Sequence, residues 1–174
     1  MQAARRPGRS LRSLLSWRQL WLSLLLVSSL LLSSCGFQLR GNLPLAKYQA
    51  IYLQGDRHSE LLERLSVQLK RNQVQLLAQS DASHPLIKLD SDGLSRRTLS
   101  LFPNGQVAEY ELIYTVRYQI VLPGQEPKPY QIELNRDYQD DPNAALAKAR
   151  ELDLMLTELR EQAVARIIRQ LGRL

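Results

Sequence analysis

The feature that most constrains the fold is a run of 13 residues, from Tyr110 to Leu122, in which an apolar or aromatic side chain recurs at every second position. The positions between them include glutamate, threonine, arginine and glutamine. A period of two residues places alternate side chains on opposite faces of a β-strand. The run therefore predicts one strand of about 40 Å, well beyond the usual length, with one face on a core and the other in a polar environment.

Turn-forming residues separate this run from further strands on both sides. Pro103-Asn104-Gly105 precedes the run and predicts a tight reversal, while Pro123-Gly124 ends it. The other expected strands are Ala50–Leu53, Val74–Leu77, a strand over Leu86–Leu89 that resumes as Thr98–Phe102 after a bulge or bend at Gly93, and Tyr130 to near Tyr138.

Two helices are expected from caps followed by apolar stripes. Ser59 is a favourable N-cap residue and Asn72 a stop signal, while Asp141-Pro142 supplies a cap and a proline in the first turn. Two such helices and long strands predict an α+β fold, in which both helices pack on one face of a mostly antiparallel sheet as a two-layer sandwich. The stripes are Leu61, Leu62, Leu65 and Leu69 in the first helix, and Leu152, Leu156, Leu159, Ala163 and Ile167 in the second.

The N-terminus has the pattern of an export signal. An arginine-rich stretch, Met1–Gln19, precedes a 13-residue apolar run, LWLSLLLVSSLLL, which is shorter than the roughly 20 residues that a membrane-spanning helix needs. Leu32-Ser33-Ser34-Cys35 then looks like a bacterial lipobox, in which the cysteine thiol takes a diacylglyceryl group. An ordinary secretory signal and an uncleaved anchor are the alternatives.

Cys35 is the only cysteine of the chain, which excludes an intrachain disulfide and favours its lipidation. Two or three acyl chains, palmitate among them, would hold the protein durably on a membrane. Gly36 follows the cysteine, and the absence of aspartate there favours the outer membrane. We therefore expect a lipoprotein signal peptide over residues 1–34, a lipidated tether over 35–49 and a single α+β domain over 50–174.

The charge distribution argues against nucleic-acid binding. The formal charge of +6 arises from 23 basic and 17 acidic residues, but five of the basic residues lie in the first 34 residues, which contain no acidic residue. The remainder, with 18 basic and 17 acidic side chains, is almost neutral. A basic surface of the kind that grips phosphate backbones is therefore not indicated.

Catalytic and metal-binding patterns are weak. Asp56-Arg57-His58-Ser59 contains acid and base side chains, but it lies where a helix is expected to begin, and such residues commonly cap helices. The sequence contains no nucleophile elbow, metalloprotease motif or phosphate loop. We expect no catalytic residue, no metal site and no cofactor.

Several basic residues in the second half of the domain are candidates for binding phosphate. Antiparallel pairing would carry the start of the last helix to the same end of the sheet as the Asn104 turn. The alternative is that these charges are scattered over the surface and balanced by nearby carboxylates, and the sequence leaves both interpretations open. The candidate phosphate ligands are Arg96, Arg97, Arg136, Lys148 and Arg150, and the balancing carboxylates are Asp137, Asp140, Asp141 and Glu151.

Short motifs along the whole mature chain resemble the LptE family of lipopolysaccharide-assembly lipoproteins. The likeness includes the lipobox, the Leu122-Pro123-Gly124 turn and the order of long strands and helices. The motifs are CGFQLRG at residues 35–41, FPNGQ with AEY at 102–110 and NAALAK at 143–148.

The resemblance implies a non-enzymatic function at the periplasmic side of the cell outer membrane. Members of the family sit as a plug in the lumen of the LptD outer-membrane β-barrel, bind lipopolysaccharide, help to insert it into the outer leaflet and assist barrel assembly. A lipid-binding periplasmic chaperone without a barrel partner is the first alternative, and a lipoprotein hydrolase using His58 is the second.

The resemblance also assigns roles to individual residues. Lys148 falls on the family's basic position at the start of the last helix and is the first candidate for contacting lipid A phosphate. The commonly basic turn position is Pro103 here, so the role at the turn passes to Arg96 or Arg97. The expected contacts with the barrel are Phe102, Asn104 and Gly105.

Overall fold

The computed structural model describes Trp21 and residues 45–174. The rest of the predicted signal peptide, the predicted lipidation site Cys35 and residues 36–44 of the predicted tether lie outside the described residues. Residues 45–174 belong to one compact unit. No helix among the described residues is both long and apolar enough to cross a membrane.

The architecture is a five-stranded sheet with two helices packed on one face, which confirms the predicted α+β fold. The sheet order is β2-β1-β3-β4-β5; β1 pairs in parallel with both of its neighbours, and the β3–β4 and β4–β5 pairs are antiparallel. The elements are β1 Ala50–Gln54, α1 Glu60–Arg71, β2 Gln75–Leu77, β3 Leu86–Leu101, β4 Val107–Val121, β5 Lys128–Gln139, a short 3-10 turn Pro142–Ala144 and α2 Ala145–Arg173.

The core follows the alternation along β4. Its even-numbered side chains are buried from Leu112 to Ile120, because both helices lie over that face of the sheet. The opposite face of β4 carries polar side chains such as Thr115 and Arg117. Leu45 is fully buried and the Tyr48 hydroxyl donates to the Leu171 carbonyl (3.2 Å), so packing of the domain includes residues before the expected boundary at residue 50.

The first helix begins and ends as its caps predict. The Ser59 hydroxyl accepts a hydrogen bond from the Leu62 backbone N–H (3.2 Å), and the backbone N–H of Asn72 bonds carbonyls of the last turn. Leu61, Leu65 and Leu69 are fully buried because they recur on the side facing the sheet.

The second helix is longer than the first and only partly covered. Asp141 accepts a hydrogen bond from the Asn143 backbone N–H (2.9 Å) and caps the 3-10 turn that precedes α2. The buried residues of α2 begin at Leu159, whereas Leu146 and Leu154, nearer its start, are 69% and 65% exposed. The N-terminal half of α2 thus presents apolar surface to its surroundings.

The first irregularity of β3 lies at Asp90, with further register shifts between Thr98 and Leu101, and the prediction of a bulge or bend at Gly93 is wrong. Gly93 pairs regularly with Thr115, whereas the register shifts by one residue between Leu89 and Ser91. The β-bulge at Asp90 inserts one extra residue into β3. After it, even-numbered instead of odd-numbered side chains face the helices.

A polar cluster joins α1 to β3 just beyond this bulge. Asp92 accepts hydrogen bonds from the Ser59 hydroxyl (3.0 Å) and from the Tyr114 hydroxyl (2.6 Å). Tyr114 is 1% exposed, and burial together with the Asp92 carboxylate raises its pKa. The cluster satisfies polar groups beneath the helix layer and fixes the strand after the bulge.

Candidate functional site

Two reversals of the chain meet at one end of the sheet. In the turn after β3, the Phe102 N–H donates to the Gln106 carbonyl (2.8 Å), and Gly105 has the positive φ of 83° that favours glycine. The Asp140 N–H donates to the Ala108 carbonyl (2.9 Å) and ties the connection between β5 and α2 to β4. Antiparallel pairing therefore brings the start of α2 to the Asn104 turn, as the sequence predicts.

An open cleft of about 810 Å³ lies between these two reversals. One wall comes from the turn after β3 and the other from the connection that leads into α2. Apart from Lys148, the side chains that line it are mainly amides, carboxylates and prolines. The residues that line the cleft include Phe102, Gln106, Gln139, Asp140, Asn143 and Lys148.

Two cations and two tyrosines form a row across this end of the sheet. The Arg96 guanidinium carbon lies 5.8 Å from the ring centroid of Tyr110, and the Lys148 Nζ lies 5.3 Å from that of Tyr138. Tyr110 and Tyr138 are paired in register on β4 and β5. Arg96 has no ion-pair partner among the described residues, and the carboxylate partner of Lys148 is partly exposed, so the row can present positive charge to an anion. We call these four residues the cation–tyrosine row.

Lys148 is positioned by two hydrogen bonds in addition to its contact with the Tyr138 ring. The Tyr138 hydroxyl donates to the Lys148 carbonyl (3.1 Å), and the Lys148 ammonium donates to Glu151 one turn along the helix (2.8 Å). The hydrogen bond to Glu151 raises the pKa of Lys148, so the side chain stays charged at physiological pH. Its side chain is 20% exposed, which leaves part of it accessible from the cleft.

Arg136 lies on the same face of the sheet as the cation–tyrosine row, in register with Leu112 of β4. Its guanidinium pairs with Glu158 of α2 (2.9 Å), and both side chains are largely exposed. Exposed ion pairs contribute only about 0–1 kcal/mol, so a multiply charged anion can compete with Glu158 for this arginine. Arg136 is an accessory cation beside the row.

Of the two interpretations that the sequence leaves open, convergence on the row does not extend to Arg97 and Arg150. Arg97 pairs with Glu111 on the face of the sheet that the helices leave open. Arg150 is exposed and lies two residues from Lys148, which is about 200° around the helix axis. Alternation on a strand and the helical period therefore direct these two side chains away from the row.

The bulge at Asp90 decides which arginine faces Lys148. Before the bulge, odd-numbered residues such as Ile87 and Leu89 face the helices; from Asp92 to Thr98, even-numbered residues do. Without the extra residue, Arg97 would occupy the helix-facing side and Arg96 the open one. Arg96 has no carboxylate within ion-pair distance among the described residues, so of the two it is the better anion ligand.

The tyrosines of the row were not predicted as functional. In the sequence, Tyr110 only begins the alternating run and Tyr138 only marks the end of a later strand. Burial raises the pKa of Tyr138, as does the nearby Asp140 carboxylate, so its hydroxyl remains a donor. The sequence signal that could have identified them is their position near strand ends that the predicted pairing places close to the candidate phosphate ligands.

The possible catalytic residues form no catalytic arrangement. The backbone N–H of His58 donates to the Asp56 carboxylate (2.9 Å), which is a turn contact just before α1, and His58 itself is exposed. Within residues 45–174, no group of three or more histidine, cysteine, aspartate or glutamate side chains is arranged to hold a metal ion.

The expected barrel contacts lie on the rim of the cleft. Asn104 and Gly105 are exposed and Phe102 is half-buried. Leu99 and Leu101, at the end of β3, are 46% and 60% exposed. The turn and the end of β3 therefore present a surface of mixed polar and apolar side chains.

Comparison with known proteins identifies the relatives of this chain. A family described as "LptE: Lipopolysaccharide-assembly" matches residues 48–171. A protein named LPS-assembly lipoprotein LptE from Pectobacterium atrosepticum is 33% identical over 147 residues, which cover 82% of this chain and 79% of the relative. Its namesake from Yersinia pestis is 33% identical over 156 residues, covering 86% and 74%.

Solved structures show the same architecture. The crystal structure of rare lipoprotein B from Shewanella oneidensis matches with a TM-score of 0.66 and 42% identity, covering 71% of this chain and 94% of that one. The solution structure of an uncharacterized lipoprotein B from Nitrosomonas europaea matches with a TM-score of 0.67 over 79% and 90%, and its 24% identity supports the fold alone.

Proposed function

The chain belongs to the LptE family of lipopolysaccharide-assembly lipoproteins, and from this premise we propose that it occupies the lumen of the LptD outer-membrane barrel and binds lipopolysaccharide there. A role in lipopolysaccharide assembly follows from the family itself. We further propose that the protein is a non-catalytic plug, that it contacts the lipid directly, and that it assists the barrel to assemble.

The cation–tyrosine row carries the lipid-binding proposal. Lys148 and Arg96 stand at its two ends, with Tyr110 and Tyr138 between them. Lipid A phosphates carry charge and several acceptor oxygens, so arginine can grip them by paired N–H groups and lysine as a point charge. Arg136 adds a third cation on the same face.

The neighbouring carboxylates set how tightly a phosphate binds. Glu151 and Glu158 hold Lys148 and Arg136 in place before binding, and they must release or share these cations when a phosphate arrives. Because both ion pairs are partly exposed, that exchange costs little, and binding should weaken as salt screens the charges.

Two surfaces suit a barrel lumen. The face of the sheet opposite the helices carries residues such as Arg97, Glu111 and Arg117, and the lumen of a barrel is polar. The turn with Phe102, Asn104 and Gly105 adds a protruding contact next to exposed leucines.

Acylated Cys35 would anchor the protein to the outer-membrane lipid on the periplasmic side. The supporting observations are the lipobox in the sequence and the lipoprotein names of the relatives. Nothing in the cation–tyrosine row or the cleft has the geometry of a nucleophile with its base, which favours binding without turnover.

Extraction of membranes in mild detergent tests the barrel proposal. We expect the protein to co-purify with LptD as a stable complex, and a photo-reactive amino acid at Phe102 to give one cross-linked product of barrel size. A free monomer after mild extraction, with no discrete cross-linked product, would instead favour a lipid-binding chaperone without a barrel partner. His58→Ala should leave function intact, whereas a hydrolase would lose it.

A further inference from the structure

We propose that the cleft beside Lys148 binds the sugar rings of a phosphorylated glycolipid, so that the protein recognises the saccharide as well as its phosphate. This inference rests on the proposed function, because it concerns the ligand whose phosphate the cation–tyrosine row would hold. The ligand class is a phosphate-bearing saccharide.

The first observation is a set of polar groups that converge on the cleft with hydrogen-bonding capacity unused. Among the described residues, the side-chain amides of Gln139 and Asn143 line the cleft and have no hydrogen-bond partner. Asp140 accepts the Asp141 N–H through one carboxylate oxygen (2.9 Å), which leaves the second oxygen available.

The turn supplies a further group in a fixed orientation. Asn104 and Gln106 brace one another: the Asn104 amide donates to the Gln106 side-chain oxygen (2.9 Å), and the Gln106 backbone N–H donates to the Asn104 side-chain oxygen (3.1 Å). The amide nitrogen of Gln106 is left to donate into the cleft. A braced group loses less conformational entropy on binding than a free one.

This set of groups matches sugar chemistry. An amide offers a donor and an acceptor side by side, a carboxylate offers acceptors, and adjacent sugar hydroxyls both donate and accept. Phe102 and Pro142 add apolar surface to the lining, against which the C–H face of a ring can pack. Small-molecule sites combine such apolar walls with a few convergent polar groups.

The position and size of the cleft support the assignment. Lys148 lines the cleft and also ends the cation–tyrosine row, so a phosphate held by Lys148 would carry its sugar into the cleft. The cleft volume of about 810 Å³ lies within the range of small-molecule sites, about 300–1,000 Å³. A free phosphate would use Lys148 and leave the amides solvated.

Binding of a deacylated ligand separates sugar recognition from lipid recognition. The full acylated protein in detergent micelles would be titrated with three probes: fully deacylated, phosphorylated lipopolysaccharide oligosaccharide, the same oligosaccharide after phosphatase treatment, and inorganic phosphate. We expect the phosphorylated oligosaccharide to bind at least about tenfold more tightly than inorganic phosphate, with saturation transfer to its ring protons.

Variants identify the residues responsible. Gln139→Ala combined with Asn143→Ala should weaken oligosaccharide binding about tenfold and leave inorganic phosphate binding unchanged, whereas Lys148→Gln should weaken both. Gln131→Ala, an exposed amide elsewhere on the same strand, is the matched control and should change neither. Each single variant is measured as well, with circular dichroism to show that the fold persists.

Equal affinity for oligosaccharide and phosphate, or an unchanged double variant, would overturn the proposal. If either result is obtained while intact lipopolysaccharide still binds in a Lys148-dependent manner, the sugar assignment fails and the proposed function stands. If intact lipopolysaccharide does not bind at all, the proposed function fails with it.

Discussion

Arg96 lies over the ring of Tyr110 on the helix-covered side of the sheet, while its neighbour Arg97 pairs with Glu111 on the opposite side. Two adjacent and chemically identical side chains thus have different surroundings. One is a cation next to Lys148 and its tyrosines, and the other belongs to a cross-strand ion pair. This difference allows the lipid-binding proposal to be tested with a control in the same strand.

We expect Arg96→Gln to weaken lipopolysaccharide binding about tenfold, because a charge-assisted hydrogen bond is worth about 1.5–3 kcal/mol. Arg97→Gln should change the affinity by less than about twofold, since its side chain points away from the row. Fluorescence or calorimetric titration with lipopolysaccharide in detergent measures both. Equal losses in the two variants would contradict the placement of the site.

We expect Tyr114→Phe to lower the free energy of unfolding by about 1–3 kcal/mol, because it removes the buried partner of the Asp92 carboxylate. Urea unfolding followed by circular dichroism measures the change. Tyr130→Phe is the control: its ring stacks on Tyr118, its hydroxyl has no hydrogen-bond partner among the described residues, and the change should stay within about 0.5 kcal/mol. A Tyr114 variant as stable as the control would show that the Asp92 cluster contributes little.

The buried tyrosines predict a loss of stability in alkali. Burial raises the pKa of Tyr118 to about 12 from the ordinary 10, so the folded state holds this proton more tightly than the unfolded state. The resulting stabilisation is complete below pH 10 and is lost as the pH rises from 10 to 12. The raised pKa of Tyr114 acts in the same direction.

Tyr118→Phe should therefore reduce the loss of stability between pH 8 and pH 11 by about 1.4 kcal/mol, while changing stability near pH 7 much less. Urea unfolding at pH 8, 10 and 11 gives the comparison. An identical pH dependence in the variant and the native protein would rule out Tyr118 as a source of the effect.

Cys35→Ser should abolish acylation and release the protein from the membrane, because the hydroxyl does not replace the thiol in forming the thioether. Mass spectrometry of the native protein should show the added diacylglyceryl and acyl groups on a chain that begins at Cys35. Fractionation should place the native protein with outer-membrane vesicles. An unacylated native protein in the soluble periplasm would contradict the anchor.

Hydrophobic periodicity and capping residues predicted the strands and helices of this fold, because both signals depend on residues that are close together in the sequence. The alternation from Tyr110 to Leu122 became β4, and the Ser59 side chain caps α1 by satisfying a backbone N–H that the helix leaves free. Asp141 caps only the 3-10 turn, and α2 begins after Ala144 without a side-chain cap. The meeting of the Asn104 turn with the start of α2 followed from antiparallel pairing alone.

The candidate site was predicted only in part, because the face of the sheet on which a β3 side chain lies depends on the register of the strand. An aspartate at position 90 gives no sequence signal for a bulge, whereas Gly93 does and pairs regularly. That single residue decides between Arg96 and Arg97. The cleft beside Lys148 also required the fold, since its amides come from the turn after β3 and from the connection after β5.

The central claim is that a phosphate of lipopolysaccharide binds at Lys148, and charge reversal on α2 tests it most directly. Lys148→Asp and Arg150→Asp change the net charge equally, two residues apart, but only Lys148 belongs to the cation–tyrosine row. We predict that Lys148→Asp weakens binding of intact lipopolysaccharide at least about tenfold with the fold preserved, while Arg150→Asp weakens it less than about threefold. Unchanged affinity in Lys148→Asp, or equal losses in the two variants, would contradict the account.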